Sequence, residues 1–415
     1  MAGGQRFAAR GELTVAFALT VSLFALWGMG HWLYEALVPR FARSFHLSGD
    51  ELAVTQSVYS VVYFVGAIPA ALFARRFGGK IAILAGLGAI GIGSFLLYPA
   101  LQILSYPYFL TAVTVMAGGW VALEVAANPL AACLGSPERF IWRLNFAQSF
   151  YPLGALAGMI AGTWLLASNE ALPDQSHTMA IGHPYIVLGI GVLLLAYLFE
   201  EVRFPHLPDD RIRGGCAAAI GLLFRRRLFL FALAAQALSV MALVSVWSPE
   251  VRAFIDALPG RPSGLSGSSL VWMLMALAAG RFAGTAAMRA IAPASVLAAF
   301  SIGGIASALL VSASNGLTAA VAALTASFFV SITWPTILGL AIRDAGSSMK
   351  PGTALICMAG AAGGVLHQFI RVALPFPSPH LAILPAAFCF AAILVFALCC
   401  RAATSAAVSS SGDDV

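Results

Sequence analysis

Two carboxylates stand where a carboxylate is hard to accommodate. Glu35 ends the stretch Trp27-Gly28-Met29-Gly30-His31-Trp32-Leu33-Tyr34-Glu35. Glu124 ends Gly118-Gly119-Trp120-Val121-Ala122-Leu123-Glu124 and has apolar sequence on both sides. Of the 17 acidic residues, only these two fall inside long apolar runs; the rest lie in connections, tails or run ends. An acid at the centre of a membrane helix costs about 2.5–3.5 kcal/mol on insertion scales, so it normally faces a cavity and has a task there. Apolar surroundings favour the neutral form of a carboxyl group, which can then take up and release a proton near neutral pH. A plainer reading, an ion-paired or helix-end carboxylate, has more force for Glu35, which Arg40 follows, than for Glu124.

Other polar and aromatic groups gather near these acids. Asn128 lies one helical turn after Glu124 and shares its face; Asn145 and Gln148 are three apart and share another. His31 precedes Glu35 by four and is its expected partner. Amides and carboxylates together offer the donors and acceptors that polyol hydroxyls need. Trp27, Trp32, Tyr151, Trp247 and Trp334 offer flat surfaces for the apolar face of a sugar ring. Trp334 lies too deep in its run to be an interfacial belt residue. From the second half of the chain, Gln236 and His367 join the candidate binding set. The expected proton-coupling residues are Glu35 and Glu124. The six cysteines have no metal-type spacing, no nucleophile–base pair appears, and no phosphate-binding Gly-Lys-Ser/Thr run is present, so no cofactor is expected beyond a proton as coupling ion.

These residues need elements that hold them in lipid. The chain has 415 residues, 60% hydrophobic and 10% charged, with a mean hydropathy of +0.90. About 25% charged is usual for a soluble domain. The apolar runs are unbroken rather than alternating, so the spanning elements are helices and not barrel strands. Runs of about 20 apolar residues give twelve spans: 14–38, 53–74, 81–101, 106–133, 140–167, 183–200, 228–248, 267–288, 293–313, 316–342, 352–374 and 380–400. The expected division is a six-helix bundle over 1–200, a charged cytoplasmic linker over 201–227, a second bundle over 228–401, and a disordered tail over 402–415. Pro129 and Pro335 fall in the fourth helix of each half and are expected to kink it.

The net charge of +6 comes from 23 Lys and Arg against 17 acids. With both termini cytoplasmic, 18 of the 23 fall on the inner side and 5 on the outer, by loop position, with Arg143, Arg281 and Lys350 in the inner set. That bias orients the chain in a membrane and replaces nucleic acid as the explanation of the positive charge.

Around these residues the sequence resembles a family. Phe24-Ala25-Leu26-Trp27 through Glu35-Ala36-Leu37-Val38-Pro39-Arg40-Phe41 resembles the first helix of the fucose–galactose–glucose:proton symporters, within the major facilitator superfamily. Leu123-Glu124-Val125-Ala126-Ala127-Asn128-Pro129 is similar to its fourth-helix signature, and Arg143-Leu144-Asn145-Phe146-Ala147-Gln148 to the segment that follows. Gly280-Arg281-Phe282-Ala283-Gly284 and Trp334-Pro335-Thr336-Ile337 look like landmarks of the second half. The resemblance runs nearly end to end. It implies an all-α fold of two six-helix bundles, a central cavity and alternating access. It also implies that Glu35 carries the coupling proton, that Glu124 engages sugar and affects protonation, and that Gln148 and Tyr151 line the sugar site. The family's first-helix acid is typically Asp among amides; here it is Glu35 among aromatics, and Leu243 stands where a related fucose carrier has a polar residue.

The expected function is proton-coupled symport of a monosaccharide by a monomer in a bacterial inner membrane, with sugar and lipid as its partners and no nucleic acid. Uniport or antiport of another small solute, or a sensor that has kept the fold and lost transport, are the alternatives.

Overall fold

The computed structural model describes residues 10–168, 174–204, 216–260, 268–373 and 378–412. All its regular elements are helical. In the first half they are α1 (Arg10–Ser44), α2 (Gly49–Phe77), α3 (Gly79–Gln102), α4 (Tyr106–Cys133), α5 (Phe140–Gln148), α6 (Tyr151–Ser168) and α7 (Asp174–Glu201). The short α8 (Cys216–Phe224) leads to α9 (Arg227–Val246), α10 (Pro249–Asp256), α11 (Ser269–Ala287), α12 (Pro293–Ala313), α13 (Gly316–Val330), α14 (Thr333–Ile342), α15 (Met349–Ala373), α16 (Pro379–Ala382) and α17 (Leu384–Gly412). Among the described residues, 11 helical stretches are long and apolar enough to cross a membrane; α5 and α6 end to end supply the remaining span.

Local sequence sets the helix ends. Ser48 and Glu51 form a reciprocal capping box at the start of α2, with Glu51 Oε2 accepting from the Ser48 backbone at 2.9 Å and Ser48 Oγ from the Glu51 backbone at 3.3 Å. Pro107, Pro249 and Pro293 occupy first-turn positions, where no amide proton is needed. The first core, centred on Phe24, Leu87, Met116 and Trp120, is built entirely from the first half, and α3 packs against α4 and α7. In the second half α12 packs on α17 and α13, and α15 on α9. Between the halves, α2 and α4 meet α15, α5 meets α14, and α6 meets α11.

The fourth span is one continuous helix through Pro129, and the tenth is interrupted at Ser331-Ile332, one turn before Pro335; the fifth, where no interruption is expected, breaks at Ser149-Phe150. Three sequence-based expectations are corrected. Helix α17 continues to Gly412, past the point at residue 402 where disorder is expected. Arg143, Arg281 and Lys350 are not loop charges: they are 6%, 8% and 0% exposed. Glu35 is exposed on α1, not enclosed. Residues 205–215 of the charged linker, and Asp413-Asp414, lie outside the described residues.

The buried cations have a common use. The C-terminal end of a helix carries unpaired carbonyls and a partial negative charge. Arg143 donates from Nε and Nη2 to the Ala132 carbonyl at the end of α4, at 3.1 and 2.6 Å. Lys350 Nζ, from α15, donates at 3.0 Å to the Ala74 carbonyl in the last turn of α2, across the two halves. Arg281 serves two helix ends at once, at the centre of the candidate site.

Candidate functional site

Glu124 lies in the last third of α4 and is 2% exposed. It faces the second half of the chain across a small cluster of Ala67, Ala71, Val121, Val125, Ala354 and Cys357, against which Tyr63 and Trp334 pack. The Tyr63 hydroxyl of α2 and the Cys357 thiol of α15 lie beside the carboxylate. Neither contact meets strict hydrogen-bond geometry, and no cation pairs with Glu124 among the described residues. A buried acid left this way is held by packing and is free to exchange a proton or a ligand hydroxyl. On its other side, Leu23, Phe24 and Trp27 of α1 close a void of about 10 Å³ against Glu124.

Asn128, one turn after Glu124, donates from Nδ2 to the Glu124 backbone carbonyl at 2.9 Å and not to its carboxylate. Its Oδ1 accepts from Gln148 Nε2 at 2.7 Å, which ties α4 to the end of α5. The Gln148 carbonyl in turn accepts from Arg281 Nη1 at 2.7 Å, and Arg281 Nε donates to the Ser331 carbonyl at 2.8 Å. The chain of polar contacts thus runs from Glu124 through α4 and α5 into α11 and the break between α13 and α14.

The sequence dictates both receiving carbonyls. Proline has no amide proton, so the carbonyl four residues before it has no helical partner. Pro152 frees the Gln148 carbonyl, and Pro335 frees the Ser331 carbonyl. One guanidinium satisfies both, and it also lies over the Tyr151 ring at 5.8 Å. Sequence reasoning placed Arg281 in a family landmark and counted it as a loop charge. The signal that identifies its role is an arginine inside an apolar run, in a chain with two prolines that each orphan a mid-span carbonyl.

Two further contacts join the halves at this level. Thr336 Oγ1 of α14 donates to Asn145 Oδ1 at 3.1 Å, and Ser149 Oγ lies 3.3 Å from Thr285 Oγ1 of α11. Asn145 Nδ2 bonds the Ile141 carbonyl at 3.0 Å, so both ends of that amide are occupied within the protein. Gln148 and Asn145, neighbours on one helix face, therefore serve opposite halves.

The aromatic candidates divide into two groups. Trp27 meets Tyr151 edge to face at 5.0 Å, near Glu124. Further along α1, Trp32 meets Trp247 of α9 at 5.5 Å across the two halves, and Trp247 Nε1 donates to Ser327 Oγ at 3.0 Å. His31 meets the Tyr59 ring at 5.5 Å. Glu35 is within electrostatic reach of His31, Tyr34 and Tyr151, and Tyr151 is also within reach of Glu124. The expected His31–Glu35 pair is therefore a proximity and not a hydrogen bond, and Arg40 forms no ion pair with Glu35.

In the second half, Trp334 packs against Gly360 and beside the Glu124 cluster, with its indole nitrogen unpartnered. Gln236 is 0% exposed, and neither its amide oxygen nor its nitrogen has a partner. Glu124, Tyr63, Trp334 and Gln236 are thus among the buried polar groups whose side-chain atoms make no hydrogen bond within the protein. His367 is placed elsewhere, with Arg371 and Glu250, which form a 2.7 Å ion pair.

The sequence profile of the Major Facilitator Superfamily matches residues 16–368. The L-fucose-proton symporter of Escherichia coli K12 is 31% identical over 405 residues, 92% of each chain. The glucose/galactose transporter of Brucella abortus is 31% identical over 388 residues, covering 92% of this chain and 93% of that one. The crystal structure of the major facilitator transporter FucP in its outward conformation matches with a TM-score of 0.84 at 30% identity, covering 94% of this chain and 99% of that one. The proton:xylose symporter XylE, at 13% identity and a TM-score of 0.72, shares the fold. The profile match and the near full-length similarity place this chain in the major facilitator superfamily, with its fold of two six-helix bundles.

Proposed function

We propose that the protein is a proton-coupled monosaccharide symporter that works by alternating access. One observation carries the reading: a buried, unpaired carboxylate, Glu124, stands between the halves among other unpartnered polar groups and beside the Trp334 indole. A carboxylate with vacant lone pairs accepts either a proton or sugar hydroxyls. An aromatic face next to it receives the apolar face of a pyranose. The named substrates of the relatives, L-fucose, glucose and galactose, belong to this chemical class. Glu124, Gln148, Tyr151, Trp27, Trp334 and Gln236 form the sugar-facing set; Glu35, with His31, Trp32 and Trp247, lines the approach to it. Asn128 and Asn145 position their neighbours, and His367 belongs to a separate ion-pair cluster.

In this reading a proton arrives by way of Glu35, sugar binds against Glu124, and the halves rock about the contacts made by Arg281, Asn145 and Ser149. The loop charges support cytoplasmic termini in a bacterial inner membrane. The bundles comprise 1–200 and 228–401, joined by the linker, and the chain acts as a monomer. The deciding experiment is uptake of a panel of hexoses and pentoses into proteoliposomes with and without an inward proton gradient. Gradient-driven accumulation of one sugar supports the proposal. Equal uptake with and without the gradient supports a uniporter, and absence of counterflow for every sugar supports a sensor.

A further inference from the structure

A second cavity, of about 520 Å³, lies far from Glu124, at one end of the second bundle. It opens where three spans finish: α9 begins at Arg227, the span formed by α13 and α14 ends at Ile342, and the last span ends at Thr404. Those end points place the cavity at the depth of lipid headgroups. Its rim carries Arg226, Arg227 and Arg343 and one acid, Asp344. Arg343 holds the Asp344 carboxylate through Nε and Nη2, both at 3.3 Å, so that acid neutralises one of the three cations. Arg226 Nη1 donates to the Asp344 backbone carbonyl at 2.6 Å, which fixes its position without reducing its charge. Arg227 makes no side-chain hydrogen bond or ion pair among the described residues. Beneath this rim the lining is apolar: Phe229 and Phe396 are 2% and 4% exposed. Leu228, 39% exposed, continues the apolar wall outward.

We propose that this cavity binds an anionic phospholipid from the leaflet around it. The net charge of the rim, after Asp344 is counted, is +2, which suits a phosphodiester. Guanidinium groups offer paired donors that match phosphate oxygens. The volume falls in the range of sites for small organic ligands, about 300–1,000 Å³. The apolar floor and the Leu228 wall suit the glycerol ester region and the first acyl carbons, which a free phosphate ion would leave unused. Basic pockets between helices at a membrane surface recognise acidic headgroups by this division of labour. The lipid would rest on α9, α14 and α17 together. It therefore grips the start of α9, which follows the linker, and α14, the half-helix whose proline frees the Ser331 carbonyl bound by Arg281.

The test is native mass spectrometry of the full-length, delipidated protein titrated with dioleoyl phosphatidylglycerol or dioleoyl phosphatidylcholine. Wild type should retain the glycerol lipid at least tenfold more strongly. Arg227→Gln with Arg343→Gln should weaken that binding about 10- to 30-fold, since each surface cation contributes about a factor of five. Phosphatidylcholine binding should be unchanged. Arg139→Gln with Arg203→Gln, two exposed cations elsewhere in the chain, should leave both lipids unaffected. Unaltered melting temperature shows that the variants fold. If both double variants lose the anionic lipid equally, overall charge and not this cavity is responsible, and the proposal falls. It falls equally if inorganic phosphate at millimolar concentration displaces the lipid from wild type, since the apolar floor then contributes nothing.

Discussion

Arg281→Lys isolates the bridge between the two halves. The guanidinium makes two hydrogen bonds, one to the Ser331 carbonyl within its own half and one to the Gln148 carbonyl in the other. A hydrogen bond involving a charged group contributes about 1.5–3 kcal/mol. A lysine ammonium in the same space keeps the charge but reaches only one of the two carbonyls. If it keeps Ser331, the joined arrangement of the halves loses about 1.5–3 kcal/mol relative to the separated one. That is a shift of about ten- to a hundredfold in the conformational equilibrium. Cys357 reports the shift: it is 1% exposed and lies at the seam between α15, α2 and α4. With the other cysteines replaced, its alkylation by N-ethylmaleimide should accelerate ten- to a hundredfold in Arg281→Lys and further in Arg281→Gln. An unchanged rate, accompanied by a lower melting temperature, would confine Arg281 to packing within its own half and refute the bridge.

Glu124→Gln should abolish concentrative uptake and weaken sugar binding about ten- to a hundredfold, because it removes the proton site and a charged acceptor; wild-type accumulation by the variant contradicts the assignment. Glu35→Gln should retain sugar counterflow, which needs no proton release, and lose gradient-driven accumulation; equal loss of both on one proteoliposome preparation makes Glu35 a structural or sugar-binding group. Gly154→Ala should sharply reduce folded yield, since a methyl group there would lie 1.8 Å from the Ala25 carbonyl oxygen of α1, whereas Gly118→Ala, with nothing within 4 Å, should be neutral. Equal yields of the two variants would show that α1 and α6 can separate without penalty.

Much of this architecture was legible because lipid leaves few options. Apolar runs of the right length locate the spans, and the position of Glu124 alone among apolar residues marks it as the leading candidate for the site. That Asn128 shares a face with Glu124 follows from helical periodicity. Three features were hidden for identifiable reasons. The break in the fifth span is hidden because Pro152 stands near the start of α6 and frees a carbonyl one turn earlier, so the helix is interrupted at Ser149. Counting charges by loop misassigned Arg143, Arg281 and Lys350, because a cation beside a helix C-terminus can be buried against carbonyls without any acid. For Glu35 the plainer reading of a helix-end carboxylate has the more force, yet no local pattern reveals that its face of α1 is open while that of α4 meets α15.

On the proposed mechanism, a buried acid and a buried cation in one interior bear on membrane voltage. Protonation of Glu124 raises the charge of the interior by one, while Arg281 stays a cation throughout. If the loaded interior moves through the field with that extra positive charge, a potential negative inside favours the loaded step over the empty return, by up to about 2.3 kcal/mol per 100 mV for a charge that crosses the whole field. Arg281, whose charge is the same in both steps, sets the baseline from which that difference is counted.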